Sequence, residues 1–338
     1  MLILVMAIKL VILFLSSFLF ANYLIKKLPK INLVDYPQRE PHKLHDRIIP
    51  YAGGLLLIVG LFVSKWLFIE ELNFLNIYFI GSATILFALG LWDDIKNLRV
   101  RYKFLGQLLA AIILYMGGFR VEIFNVQIID AFFTIFWFVG ICNAFNFVDG
   151  GDGSATGISI IVTNTLFISS LFISNQPELA IFCAVLLILL SVIYLKNKKP
   201  AKLFLGDSGS QVIGLCLAAA ALYFVPTGYY KLTSWITPIL IFIFLIFDVT
   251  LVTISRLKRG VSVFEAGLDH TYHRLMRKTK NHGKSNNYMF LIVLISNIFA
   301  IVTLIVPPFY GLIFGVIVLV FFGYSINNFE SFQHDDKK

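Results

Sequence analysis

Five short polar segments interrupt an otherwise apolar chain, and they hold nearly every residue able to do chemistry. The richest is Asn143-Ala144-Phe145-Asn146-Phe147-Val148-Asp149-Gly150-Gly151-Asp152-Gly153. Residues three apart share a helix face, so Asn143, Asn146 and Asp149 line up along one. The glycines beyond them let the backbone turn tightly and approach a ligand closely. Two amides and two carboxylates are hard oxygen donors, a set that suits Mg2+ bound together with substrate phosphates. Capping of the next helix is the plainer use of the same acids. In Leu205-Gly206-Asp207-Ser208-Gly209-Ser210, Asp207 or Ser208 would cap a helix start. The free N–H groups and positive dipole end of that helix would equally suit a phosphate, with Asp207 holding a cation beside it.

Asp93 and Asp94 are neighbours on a helix and point about 100° apart. One can face a substrate while the other meets a cation, an amide or a lysine such as Lys96 or Lys103; a solvated helix end is the alternative. Arg256, Lys258, Arg259, Asp269, His270, His273 and Arg274 crowd another segment. His270 and His273 could meet on one helical face, but no cysteine lies near to complete a zinc site. The planar fork of arginine suits a diphosphate better, although a basic loop lying on anionic lipid would use the same residues. The fifth segment, Arg39-Glu40-Pro41-His42, carries little signal alone. Asp248 sits inside an apolar run, where an acid costs ~2.5–3.5 kcal/mol on insertion scales and needs a polar cavity or partner. Cys142, Cys183 and Cys216 are scattered singly with no pair at metal-ligand spacing, which argues against a disulfide or zinc framework.

Membrane helices must position these groups. The chain has 338 residues, 58% of them hydrophobic and 14% charged, against about 25% charged in soluble domains. Eleven apolar stretches approach the length that crosses a ~30 Å hydrocarbon core: 3–25, 52–69, 76–92, 104–118, 131–147, 155–175, 179–195, 209–225, 235–254, 288–306 and 309–326. They are apolar on every face rather than alternating, so an all-α polytopic membrane protein is expected and a β-barrel is not. The net charge of +9 does not call for nucleic acid. With the N-terminus outside and the C-terminus cytoplasmic, nearly all Lys and Arg fall on the inner side, leaving only Arg120 and Lys231 in outer loops. All five polar segments then face the cytoplasm. Residues 1–327 read as one transmembrane catalytic domain and 328–338 as a polar tail, with a short helix expected near Ser262.

Taken together, these segments resemble the polyprenyl-phosphate N-acetylhexosamine-1-phosphate transferases over nearly the whole chain. Asp93-Asp94 with Lys96 and Gln107, the Asn143–Gly153 run, Phe204 to Ser210, and Asp269-His270-Thr271-Tyr272-His273-Arg274 stand in that family's order. Asp35 to Arg39, His42 and Gly53-Gly54 match its first inner loop. Glu40 stands where the family usually has a basic residue, and Tyr272 where it has a histidine. The resemblance implies transfer of a sugar 1-phosphate from a UDP-N-acetyl sugar to undecaprenyl phosphate, with release of UMP, in a bacterial inner membrane. It implies Mg2+, with Mn2+ as a substitute, on Asp207, Asn146 and Asp149. Asp93 or Asp94 would act on the acceptor; Asn143, Asp152, Lys103, Arg256, Arg259, His270, His273 and His42 would bind substrates. A homodimer is compatible with it.

A phosphate monoester has a second pKa near ~6, so the lipid acceptor is largely dianionic at neutral pH. An ordinary Asp near ~3.9 is a weaker base than that phosphate. Direct in-line attack is therefore expected rather than an aspartyl-phosphate intermediate. Two other readings stand beside this one: a phospho-N-acetylmuramoyl-pentapeptide transferase, and a carboxylate-dependent transporter, although no internal repeat supports the latter.

Overall fold

The computed structural model describes residues 2–37, 47–224, 231–263 and 267–331. His42, Arg39 and Glu40 lie outside them, as do 332–338. Every expected apolar stretch falls on helix. In chain order these are α1 (Leu2–Lys27), α2 (Gly53–Leu67), α3 (Ile77–Lys96), α4 (Val100–Met116), α5 (Gln127–Val148), α6 (Ser154–Ile168), α7 (Pro177–Asn197), α8 (Gly206–Phe224), α9 (Lys231–Ile241), α10 (Ile243–Arg259), α11 (Thr271–Thr279), α12 (His282–Ile305) and α13 (Pro308–Ser331). Eight helices among the described residues are long and apolar enough to cross a membrane. Of the rest, α2 has 15 residues and α4 has 17, lengths of about 22–26 Å at 1.5 Å per residue. The chain is an all-α polytopic membrane protein.

The fold divides into two units, Met1–Phe224 and Val225–Lys338. In the first, α8 is the central helix, packed by α2, α3, α5, α6 and α7. Its run Ala218-Ala219-Ala220-Ala221 is fully buried. Helices in lipid gain little from hydrophobicity alone, so small side chains that let backbones approach closely are what makes such a centre. Gly90 on α3 shows the closeness: a Cβ there would stand 2.5 Å from the Cα of Ser208. The outward faces carry large exposed apolar residues, among them Ile8, Leu15, Leu19, Phe132 and Phe136, as a lipid-facing surface requires. A small two-stranded sheet, β1 (Val34–Asp35) antiparallel to β2 (Ile49–Pro50), lies beside the start of α8. Tyr51 bridges in parallel to Phe204, and the N–H groups of Ala52 and Gly53 both donate to the Phe204 carbonyl, at 3.2 and 3.0 Å. The segment that leads into α2 is thereby tied to the one that opens α8.

The second unit holds α9 to α13. The stretch expected as one span over 235–254 is broken, α9 and α10 meeting at 66°. Pro238 lies one turn before the break, a usual cause of such bends. The backbone carbonyl of Ile241 at the break accepts from Asn297 Nδ2 of α12 at 3.1 Å, satisfying a group that lipid could not. No helix starts at Ser262; the short helix of this segment is α11, nine residues on. Its first turn is held by an acid from α10, described below, which local sequence does not reveal.

Candidate active site

Four of the first unit's elements end at one place. Asp93 and Asp94 close α3, Lys103 and Gln107 lie on the first turns of α4, Asn143 and Asn146 on the last turns of α5, and Asp207 opens α8. Lys103 Nζ is 2.5 Å from Asp93 Oδ2 and 2.6 Å from Asp207 Oδ2, so one ammonium joins two carboxylates. Asp93 is also fixed from behind, its Oδ1 accepting the Leu98 N–H at 2.6 Å.

Asp94 does something different. Its Oδ1 accepts the Asp207 N–H at 2.8 Å, and its Oδ2 accepts the Ser208 N–H at 3.3 Å and the Ser208 hydroxyl at 2.8 Å. A carboxylate from α3 thus caps α8 across more than a hundred residues of sequence, using N–H groups and a dipole end that would otherwise suit a phosphate. Gly206, at φ 72°, makes the turn into α8. A Cβ there would lie 2.6 Å from Asp94 Oδ2, so glycine serves both the backbone conformation and the close approach of the acid.

The amides complete the cluster. Asn146 donates to Ser210 Oγ at 3.2 Å and is also hydrogen-bonded to the Asp207 carboxylate. Asn143 and Gln107 exchange hydrogen bonds at 3.1 and 2.9 Å, locking α4 to α5. Asp149 follows the end of α5; burial, and then the nearby carboxylates of Asp207, Asp94 and Asp152, push its carboxyl well above the usual range. Asp152 accepts the Ala201 N–H at 3.3 Å. Its loop is tied to α7 by Asn197, whose Oδ1 accepts from the Gly153 N–H and from Thr156, while its Nδ2 donates to the Leu203 carbonyl.

The second unit has a polar cluster of its own. Asp248 of α10, 1% exposed, accepts the Thr271 N–H at 2.6 Å on Oδ1 and meets His270 Nδ1 at 2.9 Å on Oδ2. It caps α11 as Asp94 caps α8. Asp269 takes a fork from Arg256, at 2.9 and 2.7 Å, and a third bond from Arg259 at 2.7 Å. Burial alone would raise the Asp269 carboxyl, but the two guanidinium groups hold it well below the usual range. The fully buried Arg274 donates to the Asp269 carbonyl at 2.7 Å. Burial, and then the neighbouring His270, depress His273 to about 4.

Comparison with known proteins bears on this arrangement. The glycosyl transferase family 4 pattern matches residues 76–225, which run from the start of α3 to the end of α8. A Bacillus subtilis (strain 168) protein named a probable undecaprenyl-phosphate N-acetylglucosaminyl 1-phosphate transferase is 32% identical, over 81% of this chain and 78% of its own. The chain belongs to glycosyl transferase family 4. A Thermotoga maritima member named undecaprenyl-phosphate alpha-N-acetylglucosaminyl 1-phosphate transferase is 31% identical over 78% of this chain and 79% of its own. A Limosilactobacillus reuteri phospho-N-acetylmuramoyl-pentapeptide-transferase is 35% identical over 51% of this chain and 60% of its own. The family pattern therefore spans the whole carboxylate cluster of the first unit.

In this family 4 chain the cluster brings together Asp93, Asp94, Lys103, Asn143, Asn146, Asp149, Asp152 and Asp207. Arg256, Arg259, His270 and His273 belong to the second unit, and His42 lies outside the described residues. Sequence reasoning passed over Asn197 and Tyr51. Asn197 ends an apolar helix among lysines, with nothing local to mark it. Tyr51 is hydrogen-bonded to Asp35 and faces Asp94 and Asp207. Burial and these carboxylates push its phenol well above its ordinary value, which keeps it a proton donor. Its place before Gly53-Gly54 was the available signal.

The residues present fit a magnesium ion. Among the described residues no three His, Cys, Asp or Glu gather to cage a metal, but Mg2+ ordinarily takes one or two carboxylates and completes its shell with water and substrate phosphates. The Asp207 carboxylate, with the Asn146 amide beside it and an ammonium already drawn in, offers such a set.

Two outcomes are expected in the second unit. Asp248→Leu removes the cap of α11 and strands the buried Thr271 N–H and His270 Nδ1, and each buried polar group left unsatisfied costs about 1–3 kcal/mol. Thermal melting in detergent should fall sharply; an unchanged melt would show that Asp248 is dispensable to the fold. Acidification should also loosen this unit. His273, depressed from 6.5 to about 4, favours folding while neutral, and that contribution is lost as pH falls from 6.5 toward 4. Asp269, lowered by its arginines, loses its contribution only below the ordinary carboxylate range, near ~3.9. Protection of the α11 amides, expressed relative to their intrinsic exchange rate at each pH, should fall first between pH 6.5 and 4; protection that rose there would reverse the assignment.

Proposed function

We propose that this chain transfers an N-acetyl-amino-sugar 1-phosphate from a UDP-sugar to undecaprenyl phosphate, releasing UMP. The observation that carries the reading is the junction of Asp93, Lys103, Asp207 and Asn146 at the mouth of a buried, carboxylate-capped helix, in a chain similar along most of its length to relatives named for that transfer. Asp207, with Asn146 and Asp149, would hold Mg2+ or Mn2+, which when bound supplies the positive charge that draws in the donor diphosphate. Asp94, engaged by three donors, is a positioning residue that keeps the Asp207 backbone in place. Asp93, with one oxygen on the backbone and one on Lys103, is the better placed of the pair to orient the acceptor. Asn143 and Asp152 would border the nucleotide. A dianionic lipid phosphate needs no strong base, so a direct displacement is favoured over an aspartyl-phosphate. Trapping a phosphorylated Asp93 or Asp94 during turnover without acceptor would overturn that preference.

The decisive assay is a panel of UDP-N-acetyl sugars with undecaprenyl phosphate in lipid vesicles, reading UMP release and the lipid product. UDP-N-acetylglucosamine should be used, along with exchange of labelled UMP into it. Activity only with UDP-N-acetylmuramoyl-pentapeptide would assign the reaction of the relatives so named, and uptake without exchange would assign transport. On topology, we favour eleven crossings with the N-terminus outside and the cluster on the cytoplasmic face of the inner membrane, a reading supported by the distribution of Lys and Arg. Cysteine placed by Lys96→Cys, Lys199→Cys or Lys280→Cys should be reached by impermeant reagents only from the cytoplasm. Periplasmic labelling at any of them would invert the topology.

A further inference from the structure

The Lys103 ammonium stands where the positive charge of the site belongs. It reaches Asp93 Oδ2 and Asp207 Oδ2 at once, at 2.5 and 2.6 Å. The two carboxylates are themselves within hydrogen-bond reach of one another, an arrangement that requires a cation between them or a shared proton. Asp94 is not a partner of the ammonium; its oxygens hold the first N–H groups and the Ser208 hydroxyl of α8. Lysine is also the residue suited to a transient role. Its charge is a compact point on a four-carbon arm with no fixed fork geometry, and here the side chain is 27% exposed, so it has room to move. A divalent cation taking the same Asp207 oxygen cannot share it with an ammonium at hydrogen-bonding distance without strong repulsion.

We propose that Lys103 is an exchangeable counter-cation, which neutralises Asp207 before the divalent cation arrives and releases it when the cation binds, staying on Asp93. This rests on Asp207 being a metal ligand, as proposed above. The exchange is a competition, so the lysine lowers the affinity of the empty enzyme for its metal. It also keeps the carboxylate cluster folded in the metal-free state. A purely structural ion pair makes the opposite prediction, since losing it would disorder Asp207 and weaken the metal.

The test is Mn2+ binding to the full-length protein in detergent, without nucleotide, followed by electron paramagnetic resonance of the free ion. Lys103→Met should bind Mn2+ at least about tenfold more tightly than the unsubstituted protein, because a unit positive charge beside the ligand oxygen is gone. Its melting temperature should rise more on adding Mn2+ than that of the unsubstituted chain. Lys103→Gln, which keeps a donor for Asp93 but no charge, should behave alike and serves if the methionine variant does not fold. Equal or weaker binding by these variants, while the unsubstituted protein binds Mn2+, overturns the exchange alone. Mn2+ bound by none of the proteins overturns both the exchange and the metal assignment of Asp207.

Discussion

Asp207→Asn should leave a folded protein that has lost at least about a hundredfold in turnover, the scale on which removing one preorganised charged or polar group from a reacting centre acts. The substitution preserves shape and keeps the backbone N–H that Asp94 accepts. What it removes is the negative charge that meets Lys103 and that would meet a cation. Lys103 would retain Asp93 as a partner, and the repulsion between the neighbouring Asp93 and Asp207 carboxylates would be relieved, so the melting temperature should change by only a few degrees. The measurement is transfer from labelled UDP-sugar across a Mg2+ titration, beside a melt of the same sample. Near-normal transfer would remove Asp207 from the metal assignment. Lost transfer with a collapsed melt would mean that the carboxylate is structural.

Asp94→Ala should show the converse pattern, a protein first destabilised and inactive as a consequence. Its carboxylate carries three hydrogen bonds to the first turn of α8. Bonds to a charged group contribute about 1.5–3 kcal/mol each and are not additive, so a loss of roughly 3 kcal/mol or more is expected. Because α8 is the helix around which the first unit packs, the cost should appear as a lower melting temperature of the whole unit. Asp94→Asn keeps one acceptor oxygen for the Asp207 N–H and should recover much of the melt, yet transfer should remain low, since the helix end would no longer be held by a charged group at both N–H positions. An alanine variant that melts with the unsubstituted protein would show that α8 does not depend on this cap. An asparagine variant with full activity would show that the charge of Asp94 is not needed.

Much of this architecture is legible in the chain itself, for a plain physical reason. A bilayer leaves a polypeptide few options, and runs such as Ala180 to Leu195, apolar on all faces, must be helices. The spacing of Asn143, Asn146 and Asp149 placed them on one face, and α5 does carry the first two on its closing turns. Partnership between distant residues was less accessible. An acid pair reads alike whether it faces a substrate or caps a helix, so the separate uses of Asp93 and Asp94 could not be told apart. The intramembrane Asp248 was visible as an expense, but its partners, His270 and the Thr271 N–H, lie on another helix. The break between α9 and α10 was hidden because hydropathy is blind to a bend, and the carbonyl it exposes is satisfied by Asn297 from α12.

Composition and spacing by themselves determined the class, the approximate helices and the residue types at the site, because burial in lipid and hard-oxygen chemistry are both properties of side chains taken one at a time. Only the tertiary structure decided which carboxylate meets which donor. Asp94 belongs to the first turn of α8, Asp207 and Asp93 share the ammonium of Lys103, and Asp269 takes the arginines. Those pairings depend on how closely helices approach, as at Gly90 against Ser208. Electrostatic and hydrogen-bonding energies fall off over a few ångströms, so no reading along a single chain could have chosen among them.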